Sequence, residues 1–133
     1  MQPYRPDFGR PQTALYDPDQ TAAERLASAL GRAGIAVERQ EGADEFIALV
    51  RAGDFRTTVV VADLTNPACL RFLERLRNAA PHSWLVISNA VVDATELRKA
   101  RRHGVDVLLP TPLDVAELVR RLEALRVRSR PSF

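Results

Sequence analysis

Thr57-Thr58-Val59-Val60-Val61-Ala62-Asp63 is the stretch that decides the fold of this chain. Five β-branched residues in succession, with no charge until the aspartate, read as a strand buried on both faces. Such a strand belongs in a parallel sheet with helices packed on each side. In open α/β sheets, ligands and chemistry gather at the carboxyl ends of the strands. Asp63 emerges at that end and is a candidate phosphoryl acceptor or metal ligand.

Upstream, residues 13–16 read as a short apolar strand. Thr21 and Glu24 have the spacing of a capping box, which predicts a helix starting near Ala22. Ala22, Leu26, Ala29, Leu30 and Ala33 line its inner face, and Gly34 stops it. Residues 35–38 read as a second strand. Residues 43–52 read as a helix with Phe46, Ile47, Leu49 and Val50 inward, closed by Gly53.

Downstream of Asp63, a short loop holds Asn66-Pro67. Leu70, Phe72, Leu73 and Leu76 mark a third helix that ends near Ala79, and residues 84–87 make a fourth strand. Asp93 caps a fourth helix with Glu96 three residues on, and Gly104 ends it. Residues 105–109 make the fifth strand. Asp114 caps the last helix, whose stripe is Val115, Leu118, Val119, Leu122 and Leu125. Strands alternating with helices imply βαβ units with right-handed crossovers. The expected fold is a flavodoxin-like (βα)5 three-layer α/β/α sandwich with a parallel sheet in the order 2-1-3-4-5.

The chain is expected to form one domain over residues 13–125. Residues 1–12, with three prolines and a glycine, are expected to be an irregular arm. Residues 126–133 read as a solvated tail or the start of a linker, although their arginines suit nucleic acid or acidic lipid. Of the 133 residues 46% are hydrophobic, which suits a globular core rather than disorder. A formal net charge of +2 implies no strongly charged partner. Cys69 is the only cysteine, which excludes a disulfide framework and a cysteine metal cluster. No apolar stretch reaches membrane-spanning length and no signal peptide is visible, so a cytoplasmic location is expected.

The strand ends gather a small set of polar groups. The first strand delivers Asp17-Pro18-Asp19, the third Asp63, the fourth Ser88-Asn89 and the fifth Pro110-Thr111-Pro112. Three acids on neighbouring strands suit Mg²⁺, which takes oxygen ligands in octahedral geometry. The same residues also read as plain turn formers, with Asp63 a cap on the approach to a helix. His82 reads as a loop residue, and His103 suits the negative end of a helix dipole. No P-loop, Rossmann fingerprint, nucleophile elbow or zinc spacing is present.

Gly34-Ile35 after the first helix, the element order, and Gly104-Val105-Asp106-Val107-Leu108-Leu109-Pro110-Thr111-Pro112-Leu113-Asp114 resemble a response-regulator receiver domain. The resemblance spans residues 13–125. It implies that Asp63 stands at the phosphoacceptor position and Ser88 at the hydroxyl position that senses phosphate. It also implies an acidic metal site, here Asp17 with Asp63, and with Asp19 if the loop shifts register. Pro18 replaces the second acid of the usual pair, Thr111 the usual lysine, and Leu108 the usual aromatic switch. The loop after Asp63 is about two residues short of the usual pattern. A cis Thr111–Pro112 bond is implied as well.

These departures remove a fixed cation and a ligand charge from a chemistry that depends on both. The expected function is a divergent receiver: a non-enzymatic signalling and protein-interaction module of a larger regulator, independent of phosphorylation and of any cofactor. The alternative is a working phospho-acceptor on Asp63 with Mg²⁺. A small-ligand-binding flavodoxin-like domain is a third reading. Expected partners are proteins, including a fused C-terminal output domain. A homodimer is expected through the fourth helix, fifth strand and fifth helix. Its charged residues would be Arg98, Arg101, Arg102, Asp114, Glu117, Arg120 and Arg121, with Glu96, Lys99 and Glu123 on the same surface. No membrane and no direct nucleic-acid contact is expected of this domain.

Overall fold

The computed structural model describes residues 11–131. Most of the arm expected at residues 1–12, and the last two residues of the tail, lie outside that range. Among the described residues five strands alternate with five helices. They are β1 (Thr13–Tyr16), α1 (Gln20–Arg32), β2 (Val37–Arg39), α2 (Ala43–Ala52) and β3 (Thr57–Val61). There follow α3 (Pro67–Ala79), β4 (Trp84–Asn89), α4 (Ala94–Arg102), β5 (Val107–Pro110) and α5 (Val115–Arg126). The sheet is parallel, in the order β2-β1-β3-β4-β5.

Alternation along the strands divides the core into two layers. Ala14, Val60, Leu85, Ile87 and Leu108 face one side, against Phe46, Ile47 and Val50 of α2, Leu73 and Leu76 of α3, and Ala100 of α4. Leu15, Val59, Val86 and Leu109 face the other, against Leu30 of α1 and Leu118, Leu122 and Leu125 of α5. Val59 and Val60 each bury almost completely on opposite faces, as the central run of β-branched residues requires. Each such side chain contributes about 1.5–3 kcal/mol of transfer energy.

Several boundaries differ from those read in the sequence. Helix α1 is capped by Asp19, whose side chain accepts from Ala22 N at 3.1 Å, so the helix starts before the Thr21–Glu24 pair. Ala33 lies past its end and is exposed. Strands β2 and β5 both begin two residues later than expected, for one reason. Gly34 and Gly104 take positive φ (87° and 85°), and the residue after each donates back into the helix. Ile35 N reaches Leu30 O at 2.8 Å, and Val105 N reaches Ala100 O at 3.0 Å. Ile35 and Val105 are thus spent on closing helices.

The described part of the tail is mostly exposed but makes contacts with the domain. The Arg128 carbonyl accepts from Arg56 Nη1 at 2.9 Å and from Trp84 Nε1 at 3.1 Å. The Arg128 guanidinium lies 5.7 Å from the centroid of Trp84. Arg130 Nε donates to both Asp106 oxygens, at 3.1 and 2.9 Å, and its Nη1 donates to Pro81 O at 3.0 Å. The segment after α5 therefore lies against the amino-terminal edge of the sheet.

Candidate functional site at the carboxyl ends of the strands

The parallel register brings the ends of β1, β3, β4 and β5 side by side. Tyr16 pairs with Val60, Val61 with Ser88, and Asn89 with Pro110. Asp17 follows directly from β1 and is 8% exposed. Its Oδ1 accepts from Asp19 N at 2.9 Å. Burial holds its carboxyl above the usual carboxylate range. Asp19 turns to the α1 amino terminus as its cap. Pro18, between them, offers no N–H.

Asp63 is exposed, two residues beyond the end of β3. Its Oδ1 accepts from Thr65 Oγ1 at 2.6 Å and from Thr65 N at 3.0 Å. Those donors, the hydroxyl first, hold its carboxyl below the usual range, with a smaller contribution from the Lys99 charge. The turn closes as Asn66 N meets Asp63 O at 3.1 Å, and Asn66 then caps α3 through Ala68 N. Cys69 of α3 is half-buried, beside the Asp63 backbone, and burial pushes its thiol up.

Ser88 is fully buried at the end of β4. Its hydroxyl shares a short hydrogen bond with Thr111 and donates to Pro110 O at 3.2 Å. A hydroxyl carries one proton and a carbonyl only accepts. The Thr111 proton therefore goes to Ser88, and the Ser88 proton to Pro110. Both hydroxyls are committed within the β4–β5 end and neither offers its proton to Asp63. The Thr111–Pro112 peptide is cis, as the resemblance implies.

Three residues shape this end through contacts that the sequence does not display. Asn89 is buried, accepts from Leu64 N at 3.0 Å and donates to Val91 O at 2.7 Å, so it ties two loops together. Lys99 reaches Leu64 O at 3.5 Å and Glu96 at 3.3 Å. Glu96 and Lys99 are thus drawn in toward the β3–α3 loop and away from the outer surface of α4. Thr65 supplies both bonds to Asp63. Asn89 carried a visible signal, since it sits beside Ser88 at a strand end. Lys99 carried none beyond its spacing from Glu96.

Asp17, Asp19 and Asp63 each turn one oxygen to a nearby backbone N–H. Among the described residues no group of three or more His, Cys, Asp or Glu side chains could hold a metal ion.

Comparison with known proteins gives a fold. No protein-family model matches the chain, and no curated protein matches it. Solved structures do match. The receiver domain of a Francisella response regulator aligns with a TM-score of 0.73 at 21% identity, over 90% of this chain and 100% of that one. A two-component response regulator from Clostridium difficile aligns at 0.73 and 16% identity, over 90% and 98%. A Burkholderia pseudomallei response regulator carrying a phosphorylated aspartic acid, calcium ion and citrate aligns at 0.66 and 22%, over 90% and 76%. The fold is that of a response-regulator receiver domain.

Within the receiver fold, Arg98, Arg101 and Arg102 are exposed on α4, and Arg120 and Arg121 on α5. Asp114 caps α5 through Ala116 N and Glu117 N. Glu117 pairs with both Arg120 and Arg121 on its own helix. Among the described residues no helix is long and apolar enough to cross a membrane.

Proposed function

We propose that this chain is a signalling and protein-interaction module of a larger cytoplasmic regulator, and that its receiver fold works without phosphorylation of Asp63. The observation that carries this reading is the self-satisfied state of the site. Asp19 is spent on the α1 cap, Asp63 on Thr65, and the Ser88 and Thr111 protons on the β4–β5 end. Phosphoryl transfer depends on positive charge and donors aimed at the transferring group. The end of β5 offers Thr111, which is neutral and already bonded. On this reading the domain is not an enzyme and needs no cofactor, and its output comes from a fused C-terminal domain or from another protein.

Exposed arginines on α4 and α5, with carboxylates beside them on α5, favour a homodimer through α4, β5 and α5. An isologous interface needs such self-complementarity. Sedimentation at low and high ionic strength tests it. A monomer at high concentration in low salt removes the interface.

The competing reading is a working phospho-acceptor, favoured by the exposure of Asp63. Acetyl phosphate with Mg²⁺, read by intact mass, separates the two. The proposal expects no added phosphate. A mass increase that is lost in Asp63→Asn overturns it in favour of the acceptor.

A further inference from the structure

The candidate acceptor chemistry of this fold lies at the carboxyl ends of the strands. A partly buried charged cluster lies at the opposite edge, where Arg77, Asp106 and Arg130 meet. Arg77 of α3 donates to Gly104 O at 2.8 Å, to Asp106 Oδ2 at 3.1 Å, to Ala80 O at 2.8 Å, and to Ser83 O. Asp106, in the α4–β5 turn, also accepts from Leu85 N at 2.9 Å. The side chains of Arg77, Asp106 and Arg130 are only 16–17% exposed.

We propose that residues 127–131 form a releasable strap across the amino-terminal edge of the sheet, with Asp106 as its latch and Trp84 as the surface it covers. What makes the strap releasable is the sharing of Asp106. Removing one member of a buried ion pair normally strands its partner. Here Asp106 keeps Arg77 and the Leu85 N–H when Arg130 leaves, so no buried charge is orphaned. The two arginines also oppose each other across the carboxylate, which burial and the Arg130 charge express as a lowered Arg77 pKa. The attachments of the strap are polar, apart from the stacking of Arg128 on Trp84. The conformational entropy of ordering the segment opposes them. A docked strap ties the end of α5 to β3 through Arg56, to β4 through Trp84 and to the α4–β5 turn through Asp106. A free strap breaks all three ties at once.

Trp84 is the only tryptophan, so its emission reports the strap directly. The full chain and Arg130→Ala are compared by Trp84 emission, acrylamide quenching and far-UV circular dichroism. Arg130→Ala is expected to shift emission to the red and raise quenching while the far-UV spectrum stays unchanged. At 1 M NaCl the screening length falls to about 3 Å. The unmodified chain should then move toward the variant's quenching value, which needs no substitution at all. Quenching in Arg130→Ala equal to that of the unmodified chain overturns the latch. Salt-insensitive quenching of the unmodified chain overturns releasability. Both readouts are independent of whether Asp63 accepts phosphate, so this inference and the proposed function fail separately.

Discussion

The two edges of the sheet use charge in opposite ways. At the carboxyl edge, acids stand singly and each is closed by a neighbour two or three residues away: Asp63 by Thr65, Asp19 by Ala22, Asp17 by Asp19. At the amino edge, one acid is shared by two arginines that come from distant parts of the chain. Local closure costs little to make and orders little beyond its own turn. The shared acid ties α3, the β4 start, the α4–β5 turn and the tail into one body. In a fold known for chemistry at its carboxyl edge, the polar group that organises the molecule sits at the other edge.

The sharpest way to break this comparison is to remove the central acid of each edge. Asp106→Ala leaves Arg77 buried without a carboxylate, and a broken buried pair of this kind costs roughly 3 kcal/mol or more. Urea denaturation should show that loss as a lower midpoint. Asp63→Ala, at an exposed position, should move the midpoint far less. Equal shifts in the two variants would erase the distinction between the edges.

The carboxyl edge has a buried tie between its loops, and it is neutral. Asn89→Ala removes the acceptor of Leu64 N and the donor to Val91 O. Leu64 is fully buried, so its N–H is left without a partner. The expected cost is about 2 kcal/mol, between the two aspartate variants. A loss below a tenth of the Asp106→Ala value would mean that the loops at this edge are held by packing alone.

Fold class, strand order and most of the core were legible because they rest on apolar periodicity, which the run 57–61 and the stripe of α5 display plainly. Glycine positions were legible as helix stops, but the residue consumed in closing each helix was not. That is why β2 and β5 begin two residues later than the sequence suggests. The site was legible as positions and not as states. Asp17, Asp19, Asp63, Ser88 and Thr111 come together at one edge, because strand order alone puts them there. Which donor each acid takes depends on loop geometry of a few ångströms, and no periodicity encodes that. The tail contacts are not legible in the sequence because Arg128 and Arg130 find Trp84 and Asp106 only across the folded sheet.

Asp19 measures how far a local reading goes. The sequence offers Thr21 and Glu24 as the cap of α1, and the folded chain uses Asp19. Asp19→Ala should cost about 1 kcal/mol, the usual value of a lost cap. Thr21→Ala should cost only a few tenths, as an ordinary helical surface change does. Thermal denaturation of the two variants decides it, and the reverse order would restore the capping box. Loss of the cap does not touch the amino edge, so Trp84 emission should stay unchanged in both.

The smallest expected effect separates two acids within the carboxyl edge. Asp17 is raised above 3.8 by burial, and Asp63 is lowered below it by Thr65. A raised acid binds its proton more tightly when folded, so stability falls as pH rises from the unfolded value to the folded one. Above that window the penalty is complete. Asp17→Asn keeps an oxygen for the Asp19 N–H and removes the charge, so it should stabilise the protein at pH 7. The gain should shrink on acidification and vanish below the unfolded value. A lowered acid behaves in the opposite sense: its contribution is complete above the unfolded value and is lost as pH falls through the folded one. Asp63→Asn should therefore be slightly less stable than the unmodified chain at pH 7, and equal to it in strong acid. Denaturation midpoints of both variants across pH 2 to 8, a range of ordinary carboxylate titration, give two curves of opposite sign. Curves of the same sign would mean that Asp17 is not held in a desolvated place, and that both acids at this edge are stabilised by their local donors alone.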